Sequence, residues 1–329
     1  MANRNLFTLK IITMKKILIS IPAFNEEKTI GILIKKIKSL TLKNAEISIL
    51  VVDDGSTDKT HEIASSNNII LVRHEMNLGL GRTFRTAVKY ACDNLFDIMV
   101  TIDGDGQFDP FDISKLVEPI LNNEADFVTA SRFRNKDFLP NMPPIKRWGN
   151  HRVAKLINRI SGLNMHDVSC GFRAYSLPSL LSLDLIGDYT YTHEAILILA
   201  FRGMRLREVD VKVEGERRFG KSKVAKSVFQ YGFNSSLIIL RYIRDYKPLK
   251  LFGLISIFFL LLGLLCIIYF SVSSLILNEF YPKFIAFIGA FLIIWAALMF
   301  IVGLVADMFT RIRIQIEEIR KQIYKKNFQ

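Results

Sequence analysis

The sequence predicts an α/β domain built on a mostly parallel sheet, continued by an amphipathic helix and a two-helix membrane hairpin. Three observations predict it. From residue 16 to about residue 214, short apolar runs alternate with helix-spaced ones, the pattern of strands joined by crossover helices. The strand-like runs end in acidic or amide clusters, and ligands of such sheets bind outside the carboxyl ends of the strands. Near the C-terminus, residues 251–272 and 284–306 contain no charged residue, and about 22 residues of helix suffice to cross roughly 30 Å of hydrocarbon.

Each element follows from its local pattern. Residues 1–15 read as a loose extension. Lys15-Lys16 precedes an apolar stretch, but Pro22 and Asn25-Glu26-Glu27 end it too soon for a secretory h-region. Residues 17–21 are instead a first strand. Ile30, Leu33, Ile34 and Ile37 fall at helical spacing. Residues 47–52 form a second buried-strand run that ends in Asp53-Asp54-Gly55-Ser56. A short helix at 60–64, a strand at 69–72, a helix at 83–91 and a strand at 98–102 follow. The last pair is a helix at 113–121 and a strand at 127–130. Residues 223–246 make a basic helix interspersed with Val224, Val228, Tyr231, Leu237 and Leu240. Ahead of a membrane span such a helix suits the bilayer interface, and packing on the globular domain is the alternative. The expected organisation is an extension at 1–15, a globular domain at 16–222, juxtamembrane helices at 223–248, a hairpin at 249–307 and a basic helix at 308–329.

Charge orients the hairpin. Arg241, Arg244, Lys247 and Lys250 precede the first apolar run. Arg311, Arg313, Arg320, Lys321, Lys325 and Lys326 follow the second, and the short connection between them carries only Lys283 as a basic residue. The positive-inside rule then puts both termini and the globular domain in the cytoplasm, with the chain crossing the cell membrane twice. Much of the net charge of +13 in 329 residues lies beside the hairpin, which fits an anionic bilayer surface. Zinc-finger spacing and aromatic RNA-binding motifs are absent, so no nucleic-acid partner is expected. Cys92, Cys170 and Cys266 are far apart and suit a reducing compartment without a disulfide framework. A two-helix anchor is small for so basic a chain, which leaves a homo-oligomer open.

The chemistry centres on Asp103-Gly104-Asp105-Gly106-Gln107. Alternate carboxylates on a turn can point at one ion, and oxygen ligands suit Mg²⁺ or Mn²⁺ bridged to substrate phosphates. The glycines let backbone and ligand approach closely. An Asp-x-Asp triplet alone is weak. It gains force at the end of an apolar strand, with Asn25-Glu26 and Asp53-Asp54 closing two earlier strands. An EF-hand loop is excluded, because Gln107, Phe108 and Ser114 stand where Asp, Gly and Glu are needed. His193-Glu194 is not a zinc-protease motif, since Leu197 occupies the second histidine's place.

Pro22-Ala23-Phe24-Asn25-Glu26-Glu27, Asp53-Asp54-Gly55-Ser56-Thr57-Asp58, Asn77-Leu78-Gly79-Leu80-Gly81 and Asp103-Gly104-Asp105 occur in that order. Together they resemble family 2 glycosyltransferases of the GT-A fold. Ser131-Arg132-Phe133, Cys170-Gly171-Phe172-Arg173-Ala174-Tyr175 and Arg217-Arg218-Phe219-Gly220-Lys221-Ser222-Lys223 are similar to the polyprenyl-phosphate hexose synthases, the dolichol-phosphate mannose synthase group and its bacterial relatives. The resemblance covers residues 16 to about 246, and the trailing hairpin resembles that of bacterial glucosyl-type members. It implies inverting transfer of a hexose from a nucleotide-sugar, UDP-glucose first and GDP-mannose next, to a polyprenyl phosphate at the cytoplasmic face.

The resemblance also implies roles. Pro22, Ala23, Asn25, Glu26 and Asp54 would contact the nucleotide, Asp53 its base or ribose, and Gly79 and Gly104 would line the same site. Asp103, Asp105 and Gln107 would bind the metal and the donor diphosphate. Arg132, Arg147, His151, Arg217 and Lys223 would lie near the acceptor phosphate or the diphosphate, with Asp105, Arg132 and Arg217 as the catalytic set. Several guanidinium groups and a metal would offset the repulsion between two phosphorylated substrates, and the planar fork of Arg suits phosphate. A phosphate acceptor is already ionised at neutral pH, so no strong base is needed and Glu194 would position rather than deprotonate. The sequence departs from the group in three places: Gly follows each carboxylate of the triplet, His151 stands where some relatives have Ser, and Cys170 replaces a Ser. Two other functions stay in view. One is transfer to a hydroxyl acceptor, although the Gln-x-x-Arg-Trp motif of processive synthases is absent. The other is a non-catalytic membrane scaffold that only binds a nucleotide-sugar or lipid.

Overall fold

The computed structural model describes residues 14–139, 142–185, 191–213, 228–276 and 283–327. The chain divides into two compact units, Met1–Ser236 and Leu237–Gln329.

The first unit is organised by strand β1 (Lys15–Ala23), whose residues Ile17, Leu18, Ile19 and Ile21 have no exposed surface. A strand buried on both faces is the mark of a sheet covered on both sides. It pairs in parallel with β2 (Ala45–Asp53) and β4 (Ile98–Thr101), and β2 pairs in parallel with β3 (Ile70–Arg73). The intervening helices are α1 (Ile30–Lys38), α2 (Thr60–Ser65) and α3 (Leu80–Asp93). Helix α4 (Ile113–Leu121) then leads to β5 (Phe127–Ser131). These elements match the expected runs to within a few residues.

Beyond β5 the structure adds what the apolar pattern left undefined. Helix α5 (Pro144–Ser161), strand β6 (Arg173–Ser176), a short α6 (Leu177–Leu181), helix α7 (Thr192–Phe201) and strand β7 (Leu206–Asp210) complete the unit. The seven strands run in the order β3-β2-β1-β4-β6-β5-β7. Strand β6 is antiparallel to both neighbours, whereas β7 returns parallel to β5. Helix α7 is buried from Thr192 to Leu199, so it is an interior helix rather than a third span, apolar all round as such helices are.

The second unit contains the end of α8 (Val228–Tyr246), then α9 (Pro248–Ile276) and α10 (Phe284–Asn327). Both α9 and α10 are long and apolar enough to cross a membrane, and only 11% of each apolar window is buried. They pack on each other through glycines. A Cβ on Gly263 would fall 2.8 Å from the carbonyl of Gly289, so only glycine allows the two backbones this approach. The Ser256 hydroxyl donates to the Ala296 carbonyl at 2.8 Å, which satisfies a polar group that lipid could not.

Candidate active site

The site forms where β1, β2 and β4 end. The segments after β1 and β2 are laced together through backbone amides. Asn25 N–H donates to Ser56 Oγ at 3.0 Å and Thr57 N–H donates back to Asn25 Oδ1 at 2.9 Å. Glu26 N–H donates to Thr60 Oγ1 at 2.7 Å, and Glu27 exchanges bonds with Asp58 and Lys59. Asn25 holds φ at 54°, a left-handed conformation that Asn tolerates better than most residues. Ala23 accepts the amide of Asp54 through its carbonyl.

The two aspartates after β2 have separate tasks. Asp53 is fully buried. Its Oδ1 accepts Ser56 N–H at 3.0 Å, while Oδ2 lies 3.3 Å from His61 Nδ1 and 3.4 Å from Arg73 Nε. Asp54 turns to the loop before α3, where its oxygens accept Leu78 N–H at 3.0 Å and Gly79 N–H at 2.8 Å. His74 Nδ1 meets Asp54 Oδ1 at 2.7 Å. A carboxylate at the start of α3 also complements the helix dipole. Gly55, at φ +71°, lies against the backbone of Met76, where a Cβ would come within 2.6 Å. Asp54 therefore anchors the loop that carries Gly79.

Strand register brings the acidic triplet to its neighbour. Thr101 of β4 pairs with Arg173 of β6 in antiparallel fashion, so two residues further on Asp103 comes level with Gly171. A Cβ on Gly171 would indeed lie 3.1 Å from both carboxylate oxygens of Asp103. Thr101 Oγ1 donates to the Gly171 carbonyl at 2.7 Å. Thr29, just before α1, donates to the carbonyl of Gly104 at 2.7 Å, and the backbone of Pro22 borders Gly104 directly. Asp105 is buried and its Oδ1 accepts Gln107 N–H at 3.1 Å. Asn25, Glu26, Asp53, Gly104 and Asp105 are thus parts of one ledge.

The basic residues are placed less uniformly. Arg132, leaving β5, forks onto the buried Asp167, with Nε to Oδ2 at 2.6 Å and a terminal nitrogen to Oδ1 at 3.0 Å. It also donates to Ser169 Oγ at 2.8 Å. Burial pushes the Asp167 carboxyl up, but the charge and hydrogen bonds of Arg132 outweigh it and leave the group below the ordinary carboxylate range. Asp167 Oδ1 also accepts the backbone amides of Ser169 and Cys170, and Glu208 of β7 accepts those of His166 and Asp167. Arg132 therefore acts on the loop that ends at Gly171. Arg147 and His151 are exposed on α5, one turn apart and on one face. Arg217 and Lys223 lie outside the described residues.

Several contributors were assigned no role from the sequence. Asp167 followed by Ser169 and Cys170 has the composition of an Asp-headed turn, which was the available signal for it. Arg173 is fully buried. It donates to the carbonyls of Thr192 and Val168 and lies 5.5 Å from the ring of Phe127 and 5.9 Å from that of Tyr191. Burial, with Tyr175 and Asp103 nearby, holds the Tyr191 phenol well above its ordinary value. Burial also pushes the Cys170 thiol up to about 12, so it stays protonated. It lowers the pKa of His193 to about 3, with Arg173 adding to the effect. That imidazole is neutral at physiological pH.

The ledge lies at the carboxyl ends of β1, β2 and β4, where sheets of this kind bind their ligands. Residues 18–182 match glycosyl transferase family 2, and residues 247–312 match the GtrB C-terminal hairpin. The chain belongs to glycosyl transferase family 2. It is 33% identical to UDP-N-acetylglucosamine–dolichyl-phosphate N-acetylglucosaminyltransferase of Methanococcus voltae, over 60% of this chain and 85% of that one. It is 26% identical to dodecaprenyl-phosphate galacturonate synthase of Rhizobium johnstonii, over 88% of this chain and 86% of that one. Among solved structures, glucosyl-3-phosphoglycerate synthase from Mycobacterium tuberculosis in complex with Mn²⁺, UDP-glucose and phosphoglyceric acid superposes with a TM-score of 0.53 at 20% identity. That likeness spans 70% of this chain and 79% of the other, and it is a likeness of fold. The fold is GT-A-like, and the chain is a family 2 glycosyltransferase with a C-terminal apolar hairpin.

Proposed function

We propose that the protein transfers a sugar from a nucleotide-sugar to a polyprenyl phosphate at the cytoplasmic face of the membrane, with inversion at the anomeric carbon. The observation that carries this is the ledge itself. Asp103 and Asp105 lie beside the nucleotide-side segments at 22–27 and 53–58, in a chain whose hairpin supplies a membrane anchor. The names of the Methanococcus and Rhizobium relatives support a lipid-phosphate acceptor. The first of these supports a UDP-linked donor.

The residues present fit a divalent cation. Two carboxylates on one turn, one buried and the other pressed against Gly171, make a partial oxygen site of the kind a substrate diphosphate completes. Among the described residues no group of three or more His, Cys, Asp or Glu side chains could hold a metal, so the diphosphate would have to supply the remaining oxygens. When bound there, Mg²⁺ or Mn²⁺ would neutralise the diphosphate as it leaves. Asp103 and Asp105 would hold it, with Gln107 alongside.

The remaining work falls to the chain. Asn25 and the amide lacing around it frame the nucleotide, and Asp53 presents a fixed acceptor toward the base or ribose. Asp54 acts by fixing the Gly79 loop. Arg132 acts through Asp167 to fix the segment ending at Gly171, while Arg147 and His151 on α5, with Arg217 and Lys223, would meet the acceptor phosphate. The basic residues flanking α9 and α10 support cytoplasmic termini.

The test is a donor panel of UDP-glucose, UDP-N-acetylglucosamine and GDP-mannose, assayed with membranes and a polyprenyl phosphate. The expected product is a polyprenyl-phosphate sugar, formed only with Mg²⁺ or Mn²⁺ and lost in Asp105→Ala. Transfer to soluble hydroxyl acceptors instead, or full activity of Asp105→Ala, would overturn the assignment.

A further inference from the structure

His74 follows the last residue of β3. The parallel pairing of β2 and β3 sets Arg73 beside Asp53, so His74 comes level with Asp54. Its backbone N–H donates to the Asp53 carbonyl at 2.9 Å. The side chain is 11% exposed, and both ring nitrogens are engaged. Nδ1 lies 2.7 Å from Asp54 Oδ1, and Nε2 lies 2.9 Å from Thr86 Oγ1 on α3. An ionised carboxylate accepts and does not donate, so Nδ1 carries the hydrogen. In the neutral ring Nε2 then accepts the Thr86 hydroxyl.

The line from Thr86 through His74 to Asp54 braces α3 at two levels. Asp54 holds the Leu78 and Gly79 amides at the start of the helix. Thr86 lies seven residues beyond Gly79, about two turns along the helix. One imidazole therefore ties the end of β2 to both levels. Each nitrogen faces a protein oxygen at hydrogen-bond distance, an arrangement that suits holding a neighbour in place and not proton transfer to a substrate. The carboxyl torsion of Asp is broad and roughly two-fold. Two backbone amides from one loop move with that loop, whereas the ring is fixed from β3 and α3 and so sets the carboxylate plane independently.

We propose that His74 is a positioning residue of the donor site. Backed by Thr86, it fixes the plane of the Asp54 carboxylate, and through it the Leu78-Gly79 segment that borders the nucleotide. The inference rests on the reading of the ledge as a nucleotide-sugar site and assigns His74 and Thr86 a part in it. A loop that is equally needed in the bound donor and in the transition state affects KM and leaves kcat.

His74→Ala, His74→Asn and Thr86→Val of the full chain are compared with the parent in membranes. Donor KM and kcat are measured for whichever of UDP-glucose, UDP-N-acetylglucosamine and GDP-mannose the parent uses, and hydrogen exchange of residues 76–79 is followed without substrate. His74→Ala should raise donor KM about tenfold, as loss of a bond to a charged group does, with kcat within about twofold and faster exchange at 76–79. The Asn side-chain amide can donate to Asp54 from near the place of Nδ1, so His74→Asn should bring KM back to within about threefold of the parent and slow the exchange again. Thr86→Val removes one neutral hydrogen bond and should raise KM about threefold. An unchanged KM in His74→Ala, a fall confined to kcat, or an Asn variant no better than Ala in KM and exchange would overturn the proposal. If the parent transfers no sugar from any of the three donors, the donor-site reading falls, and the exchange comparison alone decides whether His74 holds the loop.

Discussion

Replacing Asp167 by Asn tests what Arg132 is for. Asp167 is 1% exposed and accepts the Arg132 fork at 2.6 and 3.0 Å, the Arg132 amide at 3.2 Å, and the Ser169 and Cys170 amides at 3.1 Å. Asn keeps the shape and one acceptor oxygen but removes the charge that the Arg132 guanidinium meets at Asp167. Breaking a buried pair on one side costs about 3–5 kcal/mol, and the retained oxygen argues for the lower end. For a unit of this size, a loss of about 3 kcal/mol lowers Tm by roughly 6–12 °C. The pH dependence carries a second signature. The folded carboxyl lies below its unfolded value, so its stabilisation is complete above about pH 4 and is lost as pH falls through the folded pKa. The gap between Asp167→Asn and the parent should therefore be full at pH 7 and narrow below pH 4. Thermal unfolding across that range, followed by circular dichroism, reads both. A Tm within 2 °C of the parent at pH 7, or a gap that stays constant in acid, would refute the reasoning. A double-mutant cycle with Arg132→Ala should show strong coupling in activity as well as stability, because one loop transmits both.

Three more outcomes are expected. Gly171→Ala places a methyl 3.1 Å from both Asp103 oxygens. The carboxylate must shift by a few tenths of an ångström, and kcat should fall about tenfold with Tm nearly unchanged, since misplacement of about 1 Å costs on the order of a hundredfold; an unaltered kcat counts against Asp103. His193, with its pKa near 3, is neutral when folded but takes up a proton on unfolding below about pH 6.5. Stability should then fall with pH from 6.5 towards 3, by up to about 1.4 kcal/mol per unit, and His193→Gln should flatten that slope in denaturant titrations between pH 6.5 and 4.5. Asp54→Ala leaves the Leu78 and Gly79 amides without their acceptor, at roughly 1–3 kcal/mol for an unsatisfied group; hydrogen exchange of residues 76–79 should quicken and the donor KM should rise.

The first five strands and four helices were legible because each is locally encoded. A buried strand needs an unbroken apolar run, and a surface helix needs apolar residues at 3.6-residue spacing. The hairpin was legible for the same reason, since length without charge is a one-dimensional property. The second half of the sheet was harder to see. Strand β6 is four residues long with a buried arginine at its start, and an arginine at the head of a short run gives no strand signal. The site divides likewise. Asp103, Asp105, Asn25 and Asp53 stand out as polar residues at the ends of apolar runs. Asp167, Glu208 and His74 do not, because what distinguishes them is the partner each meets 35, 42 and 20 residues away.

By itself the sequence determined the α/β class, the apolar hairpin, the family motifs and the acidic triplet, all properties of residues within one window of each other. The tertiary structure decided the divisions of labour. The antiparallel register of β4 and β6 set Gly171 against Asp103. The arginine beside β5 was turned onto a buried aspartate, and one of two adjacent carboxylates was directed to a helix start. Those outcomes depend on which backbone groups are left unpaired when strands and loops from distant parts of the chain come together, and a buried charge goes to the partner that geometry supplies.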